Sequence, residues 1–220
     1  MSLCKTLSKN LKGRFKTMGK MNLLKANWEG KVGQTVGAKW KNRSTIRTYT
    51  KPSNPKTAAQ VTVRTAFAGM TSYVALFADQ IKYLSALNTS GQSVRNAIIQ
   101  ANKMQIQDGT FQKSTLVISK GGLQKVSGEN AEAVTNKVKV TWTNPTATNF
   151  TDKAKLVAVM VQEDSGLVDV VTEAANKGTT GVTSNIDFVT GNVDVFVYFL
   201  DLRGSSKVAS ISDYLTATIA

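Results

Sequence analysis

The spacing of apolar residues changes at Phe111, and that change limits what the chain can build. Upstream, Ala59, Val63, Phe67, Met70, Val74, Phe77, Ile81 and Leu84 recur every three or four residues. An α-helix turns once per 3.6 residues, so these side chains form one stripe on a long amphipathic helix. Val94, Ala97, Ile98, Ala101 and Met104 repeat the pattern in a second helix. In "KPSNP", residues 51–55, Ser53 or Asn54 can cap the first helix, with Pro55 in its first turn; Thr89 or Ser90 in "NTSGQ" can cap the second. Gly69 is a point where the long helix could break.

Downstream the period is two. "NKVKVTWTNP" alternates Val138, Val140 and Trp142 with lysines and threonine, and "AKLVAVMVQ" is an almost continuous apolar strand. "GLVDVVTE", "GVTSNIDF", "NVDVFVYFLDLRG", "KVASIS" and "YLTATI" follow, separated by turn residues. Short strands with turn signals between them describe an antiparallel β-sandwich of about 100 residues. The last long strand, the "RGSS" turn and the closing strand resemble the final hairpin of an immunoglobulin-like or fibronectin-like module. The expected fold class is α+β: an N-terminal β-hairpin and helical segment joined to a C-terminal antiparallel β-sandwich. The expected organisation is an arm over 1–24, a hairpin plus helices over 25–110, and a sandwich over 111–220 that folds by itself.

The stretch "GKVGQTVGAKWKN", residues 30–42, looks at first like a phosphate-binding loop. A P-loop requires G-x-x-x-x-G-K-[ST]. Here Gly33 and Gly37 are four apart, and Lys39 is followed by Trp40, so neither spacing nor hydroxyl fits. Read with period two, Val32, Gln34, Val36, Ala38 and Trp40 share one face of a strand. Lys31, Gly33, Thr35, Gly37 and Lys39 share the other, where the glycines leave room for close packing. "KNRS" then reads as a turn and "TIRTYT" as the return strand of a β-hairpin.

Charge is unevenly placed. Residues 1–60 hold 14 Lys and Arg against one acid, Glu29, while residues 61–220 hold 14 against 13. A cationic front on a nearly neutral body implies an acidic partner: nucleic acid, an anionic membrane face or an acidic protein surface. No apolar run approaches the length needed to span a bilayer. The arm, "MSLCKTLSKNLKGRFKTMGKMNLL", places Leu3, Leu7, Leu11 and Phe15 every fourth residue. Lys5, Lys9, Lys12, Arg14, Lys16 and Lys20 surround that stripe, and these ten residues are the expected partner-binding set. Three readings stay open: a flexible basic tail, an arm that orders on a partner, and a membrane-surface helix.

Chemistry is constrained by what the sequence lacks. There is no histidine, which removes Ser-His-Asp triads, Cys-His pairs and His-containing zinc sites. One cysteine, Cys4, permits no intrachain disulfide and no thiolate cluster. Carboxylate pairs and lysine chemistry survive. Glu163 and Asp164 are adjacent acids at a turn and read as solvated. Asp187, Asp194 and Asp201 lie near strand ends and could meet around calcium, though no D-x-D-x-D-G loop supports it. Trp28, Trp40 and Tyr49 interleave with Lys31, Lys39, Lys41, Arg43 and Arg47; such a pattern either packs a small hairpin or stacks on bases. The expectation is a non-enzyme with no cofactor and no metal.

"NWEGKVGQTVGAKWKNRSTIRTYTKPSNPKTAAQ" resembles the opening of a family of uncharacterised phage and prophage proteins that is also widespread in Bacteroidota genomes. The shared pattern is G-K-[IV]-G-x-x-V-G-x-x-W-[KR]-G, a short basic strand, and P-x-N-P-[KR]-T-x-x-Q at a helix start. These fall on Gly30 to Trp40 and Lys51 to Gln60, and "VRNAIIQANK" and "ISKGGL" are similar too. Asn42 departs from the pattern, standing where glycine often occurs. The likeness covers most of residues 28–125, extends more loosely over the sandwich, and leaves the arm outside. It implies a virion structural protein, a capsid decoration or tail-associated subunit assembled through the basic arm. On this expectation the chain is made in the host cytoplasm and resides in the phage particle. Its partners are other virion proteins, through a homo-oligomer or an acidic shell surface. The alternative is a basic nucleic-acid-binding protein.

Overall fold

The computed structural model describes residues 20–22, 27–40, 43–51, 53–54, 56–87, 91–109, 111–147, 149–203 and 206–220. The chain forms two compact units, residues 1–55 and 56–220.

The first unit is an antiparallel meander of β1 (Lys20–Asn22), β2 (Asn27–Val32), β3 (Thr35–Trp40) and β4 (Arg43–Thr48), paired in that order. The expected single strand through residues 32–40 is divided. Gly33 and Gln34 form a two-residue turn between Val32 and Thr35. Gly33 adopts φ +59°, the left-handed conformation that the first position of such a hairpin turn demands. The faces therefore differ from those the alternation suggested. Lys31, Val36 and Arg47 share one cross-strand row, and Gly30, Gly37 and Ile46 share another. Of the expected "KNRS" turn, residues 41–44, Arg43 and Ser44 instead open β4, paired with Trp40 and Lys39, and residues 41–42 lie outside the described residues.

The second unit has three layers. β7 (Lys155–Gln162) and β10 (Gly191–Arg203) are central in a five-stranded sheet. β8 (Leu167–Ala174) flanks β7; β11 (Ser206–Ala209) and β12 (Asp213–Ile219) pair with opposite ends of β10. A three-stranded sheet, β5 (Asn130–Val134), β6 (Lys137–Thr141) and β9 (Val182–Thr183), faces one side. Between the two sheets lie Val138, Val140, Leu156, Ala158, Met160, Val193, Val195, Val197 and Phe199. On the other side of the same strands, Val157, Val159, Val161, Phe196, Tyr198 and Leu200 pack against helices. All pairings are antiparallel. Burial on both faces is why "AKLVAVMVQ" reads as unbroken apolar sequence; a strand with one wet face would alternate.

The helices are α1 (Ala58–Phe77), α2 (Val94–Ala101) and α3 (Lys103–Gln107). Thr57 caps α1, accepting from the Gln60 N–H, so the helix starts later than Ser53 or Asn54 would set it; Pro55 lies outside the described residues. α1 runs unbroken through Gly69. Ser93 caps α2 by accepting from the Asn96 N–H, and the expected caps Thr89 and Ser90 lie outside the described residues. The second helical stripe is interrupted at Asn102. Its buried side-chain amide donates to the carbonyls of Ile98 and Val117 and accepts from the Val117 N–H. This holds the following segment and ends α2. In "ISKGGL", Gly121 is required by proximity: a Cβ there would stand 2.1 Å from the Ala209 carbonyl oxygen.

The helices thus belong with the sheets, not with the hairpin as the expected boundary at residue 110 had it. Met70, Val74, Phe77, Ile81 and Ile98 complete the core over the second face of the main sheet. Separated from them, residues 111–220 would expose six fully or almost fully buried side chains, each worth about 1.5–3 kcal/mol. The sum rivals the whole stability of a typical domain, about 5–15 kcal/mol. Residues 56–220 should give a dispersed proton NMR spectrum, and residues 111–220 alone a collapsed or aggregated one. A dispersed spectrum from the shorter fragment would show that the sheets stand without the helices.

Candidate functional site

Asp194 lies in β10 on the helix-facing side, with only 6% of its surface exposed. Every other inward position of β7 and β10 in that layer is apolar, so this carboxylate needs partners. Tyr73, from α1, donates its hydroxyl to Oδ2 at 2.9 Å. Tyr214, from β12, donates to Oδ1 at 2.6 Å. Lys113, in the short 3-10 turn Lys113–Thr115, places Nζ 3.1 Å from Oδ2 and 2.5 Å from Oε2 of Glu163. The same Nζ stands 5.0 Å from the centroid of the Tyr73 ring. A helix, two strands and two turns meet on one charge.

The electrostatics define what this centre can do. Burial raises the Tyr73 phenol far above its ordinary range, and the Asp194 charge and hydrogen bond raise it further. Tyr214 moves the same way for the same reasons. Burial would lower Lys113, but its bonds to Glu163 and Asp194 outweigh that and raise it. The phenols remain donors and the ammonium remains charged. The arrangement is a hydrogen-bonded latch that fastens α1 and β12 to β10, and no phenol in it is activated as a nucleophile or base.

The three aspartates singled out in the sequence are held apart by separate partners. Asp194 occupies the latch. Asp201 is fully buried and accepts from the Thr151 N–H at 3.1 Å, from the Thr151 hydroxyl and from Arg203 Nε at 3.0 Å. Asp187 is exposed and sits 3.9 Å from Lys137. Among the described residues no three acidic or thiol side chains gather as a metal site. Glu163 is half-exposed at the β7–β8 turn, yet it is bonded to Lys113 rather than simply solvated.

Two surfaces remain. The buried stripe of α1 continues outward as Ala59, Val63 and Phe67, with Val63 and Phe67 36% and 47% exposed. Arg64 is the one charged residue in this 20-residue helix. Beside it runs a groove of about 420 Å³ lined by Phe67, Ile99, Ile106 and Lys103. The second surface is the N-terminal sheet. Gly37 is the only buried residue among those whose burial is described there. Lys31 Nζ lies 3.5 Å from the centroid of the Tyr49 ring, and Lys31, Lys39, Arg47 and Lys51 are exposed.

Of the ten residues expected to bind partners, Lys5, Lys9, Lys12, Arg14, Lys16, Leu3, Leu7, Leu11 and Phe15 lie outside the described residues. Lys20 opens β1, opposite Glu29. The latch was missed by sequence reading, although it left two signals. One is an aspartate inside an apolar strand, "VDVFVYFL"; the other is a tyrosine, Tyr73, on the buried edge of the α1 stripe.

Replacing Tyr73 with Phe should cost about 1–3 kcal/mol, because a buried carboxylate loses one of its donors; thermal melts of the full chain measure it. Asp201 generates a pH dependence. Burial alone would raise its carboxyl, but donors from Thr151 and Arg203 outweigh burial and hold it below the ordinary range. Its contribution is complete above about pH 4 and is lost as pH falls through the lowered value. Asp201→Asn should lower stability at pH 7 and flatten the loss as pH falls below about 4. An unchanged acid limb in guanidinium titrations would remove Asp201 as its source.

The family model for "Family of unknown function (DUF6266)" matches residues 26–216. No curated protein matches the chain. The matched range takes in strands β2 to β4, all three helices and both sheets of the second unit up to the middle of β12, and leaves residues 1–25 and 217–220 outside. This chain is a member of the family of unknown function DUF6266.

Proposed function

We propose that the chain is a non-enzymatic phage virion structural protein, a capsid decoration or tail-associated subunit that joins its neighbours through the basic arm. The observation that carries this reading is α1. A helix with one charge in 20 residues belongs in an interior, yet its first three turns, residues 58–69, are exposed except at Ala66 and continue the buried stripe of its second half. An exposed apolar stripe of this kind supports a subunit that packs against neighbours. The rest of the second unit supports the same reading, since the latch residues are occupied in holding layers together. The phage association rests on the motif from Gly30 to Trp40 and on the helix-start pattern to Gln60. Within this proposal the two facing sheets are an immunoglobulin-like sandwich, to which the helices add a third layer.

The arm supplies the second contact. Six cations and no acid lie within residues 1–20, interleaved with four apolar side chains at helical spacing. A neighbour offering acidic groups offsets their mutual repulsion. The test is made on particles from a producing culture. Mass spectrometry should find the chain in them at stoichiometric levels, and a version lacking residues 1–24 should fold normally but be missing from the particles. A chain absent from purified particles would end the virion proposal. A truncated chain incorporated at the normal level would leave the arm without its role.

A further inference from the structure

We infer that the N-terminal sheet binds duplex nucleic acid along its phosphate backbone, without reading sequence, through the face that presents Lys31 and Arg47. Three observations lead there. The first is charge matching. Residues 20–51, the span of the sheet, carry eight Lys and Arg against one acid, Glu29. A six-residue strand spans about 20 Å, and a duplex carries about 12 phosphate charges in that length, one per ~1.7 Å. The duplex therefore offers more than enough charge to offset the sheet's net excess of seven, whereas a protein face would need about seven unpaired acids over the same span. The second is exposure without a core. Lys31, Lys39, Arg47 and Lys51 are all exposed, and Gly37 is the only buried residue whose burial is described in the sheet. Sheets this small need a covered face to be stable. The third is the state of the aromatic side chain. Lys31 Nζ sits 3.5 Å from the Tyr49 ring centroid, so a cation already covers that ring. The ring fixes the lysine in place instead of offering a platform for an unstacked base. Phosphate contact, not base stacking, is what this geometry provides.

The inference does not depend on the virion reading, because its test needs only the purified full chain. The probe is a fluorescent 20-base-pair duplex, titrated by anisotropy between about 50 and 200 mM KCl. Binding should weaken linearly in a plot of log K against log salt, and scrambling the duplex sequence should change nothing. Lys31→Ser/Arg47→Ser should flatten the slope by about 1.8, since each lost phosphate contact contributes about 0.9. Lys31→Arg/Arg47→Lys should keep the wild-type slope, which separates lost charge from a lost fold. Lys39→Ser changes the opposite face of β3 and should leave the slope close to wild type. Absence of binding at 50 mM KCl overturns the inference. An unchanged slope in the double Ser variant overturns it too, by assigning the binding to the arm. Displacement of the duplex by polyglutamate at equal charge would overturn it in favour of an acidic protein partner.

Discussion

The second unit depends on one condition: the strands β7 and β10 are buried on both faces. Leu156, Ala158 and Met160 point into one core and Val157, Val159 and Val161 into the other. A sheet covered on one side only would have matched its apolar positions to a single partner. Here two independent partners, a smaller sheet and a helical layer, must both be present. The helices are therefore structural components of the sheet's own core, and the position of α1 follows from the side chains that β7 and β10 present to it.

Burial on this scale leaves few places for polar groups, and nearly all of them are satisfied by specific bonds. Asn102 and Gln162 use their side-chain amides as a backbone would, each donating to and accepting from one neighbouring residue, Val117 and Val189 respectively. Ser184 accepts from the Val138 N–H and donates to the Ile186 carbonyl, stitching β6 to the segment after β9. The Trp142 indole donates to the Ala175 carbonyl. These bonds each contribute modestly when made, but leaving one unmade in the interior costs about 1–3 kcal/mol. They act as specificity devices, penalising arrangements that would strand a donor or acceptor.

Much of this was legible in the sequence because hydrophobic period reports local structure directly. The helical stripe from Val63 to Phe77 and the alternation at Val138 and Val140 each named their element correctly. Layering was less legible. A continuous apolar run such as "AKLVAVMVQ" shows that both faces are covered but not by what, so the helices could be read as a separate piece. Turns were hardest where glycine serves two purposes. Gly33 and Gly37 look alike in sequence, yet one makes a turn with φ +59° and the other lies within β3 opposite Gly30. The latch was hidden for a different reason. Its members, Tyr73, Lys113, Glu163, Asp194 and Tyr214, are spread over more than 140 residues, and only the packing of three layers brings them together.

A strand apolar on both faces has a weakness that an alternating strand lacks. In an alternating strand, a one-residue slip turns every greasy side chain to water, and the cost forbids it. In β10, a slip would exchange Val193, Val195 and Val197 for neighbours that are mostly just as apolar, and hydrophobicity would scarcely object. Asp194 breaks that near-degeneracy. Shifted by one position, its charge would enter the wholly apolar space between the two sheets, far from both phenols and the lysine. The carboxylate thus serves as a reading-frame mark: it makes one alignment of β10 the only affordable one, in a strand whose oily side chains alone could not choose.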